Sequence, residues 1–165
     1  MTDTDRLLGT LHYVEGRGTV RMEDVYDPTI DDLWSAIVEP DRLARWIAKV
    51  DGDLGGEFRI SFTSGWEGVA RVEVCEAPHR VRITMSPDAE EAMFTEARLT
   101  AEGNRTRLVI EDTGFSREDL PGHGAGWQAH IEDLRSYLSG QVPGDWATRW
   151  RELIPAYDRL SAELG

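Results

Sequence analysis

Hydrophobic and polar residues alternate with a period of two over much of the first two thirds of the chain. Phe58, Ile60 and Phe62 alternate with Glu57, Arg59 and Ser61, as expected for a half-buried strand. The same alternation recurs around Val69–Val74, Val81–Met85, Met93–Leu99 and Leu108–Ile110. Residues 10–26 also have an extended pattern, interrupted at Gly16-Arg-Gly18. We therefore predict six strands, joined mostly by short turns, which make neighbouring strands antiparallel.

A helix pair is predicted from residue 29 to about residue 47. Thr29 is suited to cap the first helix, because its hydroxyl can accept from the backbone N–H three residues later. The apolar face of this helix is formed by Ile30, Leu33, Trp34 and Ile37. Pro40 ends the helix, since it displaces the preceding residue from the α region, and then starts a second short helix.

The hydrophobic period changes to that of a helix from Trp127 onward. One stripe consists of Trp127, Ile131, Leu134 and Leu138 and predicts a long helix that ends near Gly140. The segment Gly122-His-Gly-Ala-Gly126 is interpreted as a flexible lead into this helix rather than a phosphate loop. A second stripe consists of Trp146, Trp150, Leu153, Tyr157, Leu160 and Leu164, and Pro155 inside it predicts a break or kink.

These elements predict an α+β fold of order β-α-α-β-β-β-β-β-α. We expect a single domain over residues 1–140, with residues 1–9 as a flexible tail. Residues 141–165 would be an amphipathic helical extension rather than a separate domain. Its stripe must pack on its own domain or on a second copy, because large apolar patches are rarely left in water. We favour a homodimer through residues 145–164, since the preceding helix already covers the sheet.

Several motifs resemble the activator-of-Hsp90-ATPase-like (AHSA1-like) branch of the START/Bet v 1 (SRPBCC) superfamily. Besides the helix pair, these are Gly55-Gly-Glu-Phe58, Trp66-Glu-Gly68, Thr113-Gly-Phe115 and the helix from Gly126 to Leu134. The resemblance runs from about residue 18 to residue 140 and implies a helix-grip fold, in which a curved antiparallel six-stranded sheet grips the long helix. Val38 and Asp112 depart from the family pattern, which often has Thr and His there.

The resemblance also implies a cavity for a hydrophobic or amphipathic ligand between the sheet and the long helix. The candidate ligand-binding residues are Trp46, Phe62, Trp66, Met85, Met93, Thr95, Asp112, Trp127 and Ile131, with Trp46 near the mouth. The alternative is that the apolar ones simply fill the core. Asp112 continues the face of Leu108 and Ile110, where an unpaired carboxylate would be costly. It either faces a polar cavity, together with His130 or a ligand, or lies solvated beyond the sheet edge.

Composition excludes several classes of partner. The net charge of −13 makes nucleic acids and anionic membrane surfaces unfavourable partners. There is no apolar run of roughly 18 residues, and the polar start of the chain is unlike a signal peptide. Cys75 is the single cysteine, which favours a reducing cytoplasm. The four histidines lack metal-ligand spacing, so we expect neither a metal nor a cofactor.

Three functions are compatible with this sequence. The first is a cytoplasmic protein that binds a small hydrophobic or amphipathic molecule without catalysis. The second is a polyketide cyclase-like or other proton-transfer enzyme, with Asp112 and His130 as the candidate catalytic residues. The third is a chaperone-binding module, which rests on the family name alone. Convergence of Asp112 and His130 in one cavity would favour the enzyme.

Overall fold

The computed structural model describes residues 7–52, 55–90 and 92–164. Its strands are β1 (Gly9–Val14), β2 (Arg17–Tyr26), β3 (Ala48–Gly52), β4 (Glu57–Phe62), β5 (Glu67–Glu76), β6 (Arg80–Met85), β7 (Met93–Glu102) and β8 (Arg105–Phe115). Its helices are α1 (Ile30–Val38), α2 (Pro40–Leu43), α3 (Leu120–Leu138) and α4 (Trp146–Ala162). The α+β class and the helix-grip arrangement predicted from the sequence are confirmed.

Within the described residues the strands form one antiparallel sheet of eight, not six, in the order β1-β2-β8-β7-β6-β5-β4-β3. One additional strand arises because the segment 10–26 is a hairpin rather than a single strand. Its turn lies at Glu15-Gly16, where both residues have positive φ angles, of 52° and 80°. The other is β3, which directly follows the predicted helix pair, in a segment where we predicted no strand. Strands that are consecutive in sequence are neighbours in the sheet, except that β2 pairs with β8. The α1–α2 connection carries the chain from β2 to β3 at the opposite edge of the sheet.

The helix pair has the predicted capping geometry. Thr29 Oγ1 accepts from Asp32 N at 3.4 Å, and Pro40 occupies the first turn of α2. The indole of Trp46, which follows α2, donates to the backbone oxygen of Ala36 at 3.0 Å and is buried. Helix α1 packs against β7 and β8, and α2 packs against β3, so the pair covers part of the hydrophobic core.

Helix α3 packs against β1 and β2 and begins earlier than predicted. The segment Gly122–Gly126, interpreted above as a flexible lead, forms the first turns of this helix. Helix α4 packs on these glycines: a Cβ atom on Gly124 would lie 2.6 Å from Tyr157 Cδ1, and one on Gly126 would lie 3.1 Å from Trp146 Cζ2. The glycines therefore serve close helix–helix packing, not flexibility.

Helix α4 runs without interruption through Pro155, so the predicted break does not occur. Asp145 caps it by accepting from Thr148 N at 3.1 Å. Leu153 and Tyr157 are buried against α3 and β1. The other residues of the stripe, Trp146, Trp150, Leu160 and Leu164, are partly buried against the core. Packing within the chain is therefore an alternative to the homodimer through residues 145–164, which stays a prediction.

A buried hydrogen-bond network joins α4 to α3 and to the start of the described chain. The Tyr157 hydroxyl donates to Gln128 Oε1 at 2.7 Å and accepts from Gly9 N at 3.1 Å. Gln128 Oε1 also accepts from Leu8 N at 3.0 Å. Of the predicted flexible tail 1–9, residues 1–6 lie outside the described residues, whereas residues 7–9 are held against the core.

Candidate functional site

A cavity of about 400 Å³ lies between one end of the sheet and helices α3 and α4. The sheet contributes residues from β4, β6, β7 and β8, and the opposite wall consists of aromatic side chains from both helices. The strand alternation sets this arrangement, because Thr95 and Asp112 are directly paired neighbours on β7 and β8 and project to the same face. A largely apolar wall with a few polar groups is typical of small-molecule sites.

Asp112 is the charged group inside this cavity and is 8% exposed. Its two carboxylate oxygens accept separate hydrogen bonds, from Thr95 Oγ1 at 2.9 Å and from Trp127 Nε1 at 2.6 Å. Burial raises the pKa of Asp112 to about 6, although the hydrogen bonds from Trp127 and Thr95 act to lower it. Asp112 therefore lies within strand β8, and its carboxyl group is on the buried face that Leu108 and Ile110 share, rather than solvated beyond the edge of the sheet.

His130 lines the same cavity and is 5% exposed. Its ring lies among three aromatic rings, with centroid distances of 5.9 Å to Phe62, 5.7 Å to Trp127 and 5.4 Å to Trp146. Burial lowers the pKa of His130 to about 3, so the imidazole is neutral at neutral pH. Its Nδ1 atom is buried without a hydrogen-bond partner in the described part of the chain.

The structure brings most of the sequence-predicted binding residues to this one cavity. Those that line it are Phe62, Trp66, Met85, Met93, Thr95, Asp112 and Trp127. Ile131 instead packs in the core, 2% exposed, and is not among the described residues that line it. Trp46 is not at its mouth but borders a second cavity.

The second cavity, of about 550 Å³, lies between the helix pair and the middle of the sheet. Its described lining is almost wholly aliphatic and aromatic. Phe62, Thr95 and Trp127 line both cavities, so these side chains form the partition between them. We take the first cavity as the candidate site, because it is lined by Asp112, Thr95 and His130, whereas the second cavity has an almost wholly apolar lining.

The contribution of α4 to the wall was not predicted from the sequence. Trp146 and Trp150 line the first cavity, and their rings stack with centroids 5.9 Å apart. Their indole nitrogens donate to the backbone oxygens of Gly126, at 3.2 Å, and Gly122, at 2.9 Å. The signal was in the sequence: glycines four residues apart on one helix match tryptophans four residues apart on the next.

The mouth of the cavity is acidic and aromatic. Glu118 and Asp119, which precede α3, line it and are exposed. His123 also lines it, and its ring stacks on Phe115 with a centroid distance of 3.8 Å. A ligand entering here would pass carboxylates before it reached the apolar interior.

Solved structures with the same fold match between 76% and 96% of this chain. CalU16 from Micromonospora echinospora is 23% identical, with 93% of this chain and 95% of that chain covered and a TM-score of 0.74. The protein encoded by gene BPP1335 of Bordetella parapertussis is 22% identical, with coverages of 96% and 95% and a TM-score of 0.70. DynU16, a protein of the dynemicin biosynthetic locus, is 23% identical, with coverages of 76% and 49% and a TM-score of 0.68.

No curated protein matches this chain. None of the described helices is long and apolar enough to cross a membrane. The family model described as activator of Hsp90 ATPase homolog 1-like protein matches residues 27–139. The match runs from just before the helix pair to the end of α3 and excludes β1, β2 and α4. Since it spans more than half of the sequence, the chain belongs to the activator of Hsp90 ATPase homolog 1-like family.

Proposed function

We propose that the protein binds a small hydrophobic or amphipathic molecule in the cavity between the sheet, α3 and α4. The observation that carries this proposal is an aromatic-walled cavity of about 400 Å³ into which three polar side chains converge, those of Asp112, Thr95 and His130. This volume lies within the range of about 300–1,000 Å³ that is usual for ligand pockets. The single cysteine leads us to place this activity in the cytoplasm.

A thermal-shift screen followed by isothermal titration calorimetry tests the proposal. The panel contains fatty acids, polyketides, and aromatic acids, alcohols and amines that are small enough for the cavity. Ligands that bind the native state raise the melting temperature by mass action. If no compound raises it and none shows heat of binding, the proposal is refuted.

A pair of matched variants then tests whether this cavity is the site. Ser64 lines the cavity, whereas Ser61 is exposed on β4 and does not line it. Ser64→Phe should narrow the cavity and weaken binding, while Ser61→Phe should leave affinity unchanged. Equal effects of the two substitutions would place the ligand elsewhere.

A proton-transfer enzyme is the second candidate function. It is favoured by a carboxyl group of pKa about 6 in the same cavity as a neutral imidazole. A general base works best when its pKa lies near the working pH. Asp112 would accept a proton from a bound molecule, and His130 would orient that molecule by a hydrogen bond.

Deuterium exchange distinguishes catalysis from binding alone. A ligand found by the screen is incubated with the protein in deuterated water and followed by NMR. Faster exchange at one carbon, lost in Asp112→Asn while binding persists, would support the enzyme. An unchanged exchange rate with bound ligand would exclude proton abstraction from that ligand. The chaperone-binding hypothesis stays a prediction, and failure to co-purify with an Hsp90-type chaperone would end it.

A further inference from the structure

The charged residues of the candidate cavity all have the same sign. Asp112 lies inside it, and Glu118 and Asp119 lie at its mouth. No lysine or arginine is among the described residues that line it. The chain as a whole carries a net charge of −13, so the surrounding field has the same sign as the site. Such a site attracts cations and repels anions.

Asp112 has no cationic partner in the described part of the chain. Its hydrogen bonds come from a hydroxyl and an indole, both of which are neutral. A buried carboxylate that lacks a compensating charge is costly. A positively charged ligand group beside it would supply the missing charge, and each carboxylate oxygen can accept a further hydrogen bond.

The neighbouring side chains suit a cation as well. The rings of Phe62, Trp127 and Trp146 surround His130, and Trp150 stacks on Trp146. Aromatic faces attract cations, tryptophan most strongly. His130 is more than nine-tenths buried, and its Nδ1 atom has no hydrogen-bond partner within the described residues. Because this imidazole is neutral, it does not oppose a positive charge in the cavity.

We propose that the ligand of this cavity is an apolar molecule that carries a protonated amine, with the ammonium group beside Asp112 and the apolar body against the aromatic wall. This inference rests on the proposed ligand binding and gives its ligand class. It also predicts that molecules with a carboxylate, such as fatty acids, are poor ligands.

Three probes of similar size and different charge test the ligand class. These are naphthylethylamine, naphthylethanol and naphthylacetate, whose affinities are measured by isothermal titration calorimetry at neutral pH. We expect the amine to bind at least about tenfold tighter than the alcohol, as charge-assisted hydrogen bonds imply. The carboxylate should bind more weakly than the alcohol.

Two variants locate the source of the preference. Asp112→Asn keeps the shape of the side chain and removes its charge. It should reduce the preference for amine over alcohol to within about threefold. Glu111→Gln is the matched control, because Glu111 is the adjacent residue on β8 and faces the other side of the sheet. It removes the same unit of charge and should leave the preference intact.

The outcomes separate this inference from the proposed function. Equal binding of all three probes, or tightest binding of the carboxylate, would refute the inference that the ligand is an amine but would still support ligand binding in this cavity. An equal loss of preference in Asp112→Asn and Glu111→Gln would show that net charge, not the cavity carboxylate, selects the amine, and would also overturn it. If none of the probes binds while other compounds in the screen do, the amine class is rejected. If nothing binds at all, both proposals fall.

Discussion

Two buried tyrosines allow a test of how α4 is held in place. Tyr157, on α4, has a hydroxyl that donates to Gln128 Oε1 and accepts from Gly9 N. Tyr26, at the end of β2, has a hydroxyl that is buried without a partner among the described residues. The two side chains are 0% and 1% exposed. The same substitution, Tyr→Phe, therefore removes a bonded hydroxyl at one position and an unbonded one at the other.

The expected effects have different signs. Tyr157→Phe should lower the free energy of unfolding by about 1–3 kcal/mol, because the Gly9 N–H is left buried without its acceptor. Tyr26→Phe should leave stability unchanged or raise it by up to about 1 kcal/mol, because it removes a polar group that is desolvated without compensation. The phenylalanine ring keeps the contact with the Arg135 guanidinium, which lies 4.6 Å from the Tyr26 ring centroid.

Urea unfolding of the wild type and both variants measures the difference. The slope of the free energy against urea should be the same in all three, so that midpoints report stability alone. Hydrogen exchange should also be faster across α4 in Tyr157→Phe than in Tyr26→Phe. The reasoning is refuted if Tyr26→Phe is destabilised as much as Tyr157→Phe, or if Tyr157→Phe costs less than about 0.5 kcal/mol.

Three further predictions concern the glycine face of α3 and the cavity carboxyl. Gly124→Ala should lower the free energy of unfolding, measured in urea, by more than about 1 kcal/mol, because its Cβ would lie 2.6 Å from Tyr157 Cδ1. This loss is expected although alanine has the better helix propensity. The control is Gly122→Ala, whose Cβ would lie 3.9 Å from its nearest neighbour and which should not destabilise the protein. The folded-state pKa of Asp112, about 6, exceeds the unfolded value of about 3.9. The raised pKa of Asp112 therefore contributes to the free energy of unfolding fully below about pH 4, and this contribution is lost as the pH rises through about 6. Over that pH window the free energy of unfolding should fall less in Asp112→Asn than in the wild type. Trp127→Phe removes the donor to Asp112 Oδ2, so carbon NMR titration should give an Asp112 pKa above about 6.

Local patterns were sufficient for most of the strands and for the buried face on which the site lies. The alternation that placed Asp112 on the same face as Leu108 and Ile110 is a property of the strand itself, so this placement could be predicted without knowing the tertiary contacts. The hairpin at Glu15-Gly16 was missed because two strands with a two-residue turn look like one interrupted strand. Strand β3 was missed because it is a short edge strand directly after the helix pair.

Contacts between distant segments could not be predicted from local pattern. Glycines at positions 122, 124 and 126 disfavour a helix by propensity, yet tertiary packing against α4 overrides that preference. Trp146 and Trp150 were assigned to an amphipathic stripe, but a stripe does not identify the surface that it covers. The wall of the cavity therefore emerged only when the two helices were seen together.

The extension after residue 140 is predicted to be part of the folded domain, and truncation after Gly140 tests this. The truncation removes two fully buried side chains, Leu153 and Tyr157, and the indoles that bond to the Gly122 and Gly126 carbonyl oxygens. Burial of such side chains contributes about 1.5–3 kcal/mol each, so we expect a loss of at least about 3 kcal/mol. The truncated protein should bind an apolar dye or aggregate, since the glycine face of α3 becomes exposed.

The competing arrangement is a homodimer in which residues 145–164 bury their stripe on a second copy. Sedimentation of the full chain at high micromolar concentration separates the two, because packing within the chain predicts a monomer there. The double substitution of Trp146 and Trp150 by alanine adds a second criterion. It should open the wall of the cavity and weaken ligand binding in a monomer, because both indoles line that wall. A dimer that dissociates on truncation into a monomer of unchanged stability and ligand affinity would show that the extension acts between copies and has no part in the site.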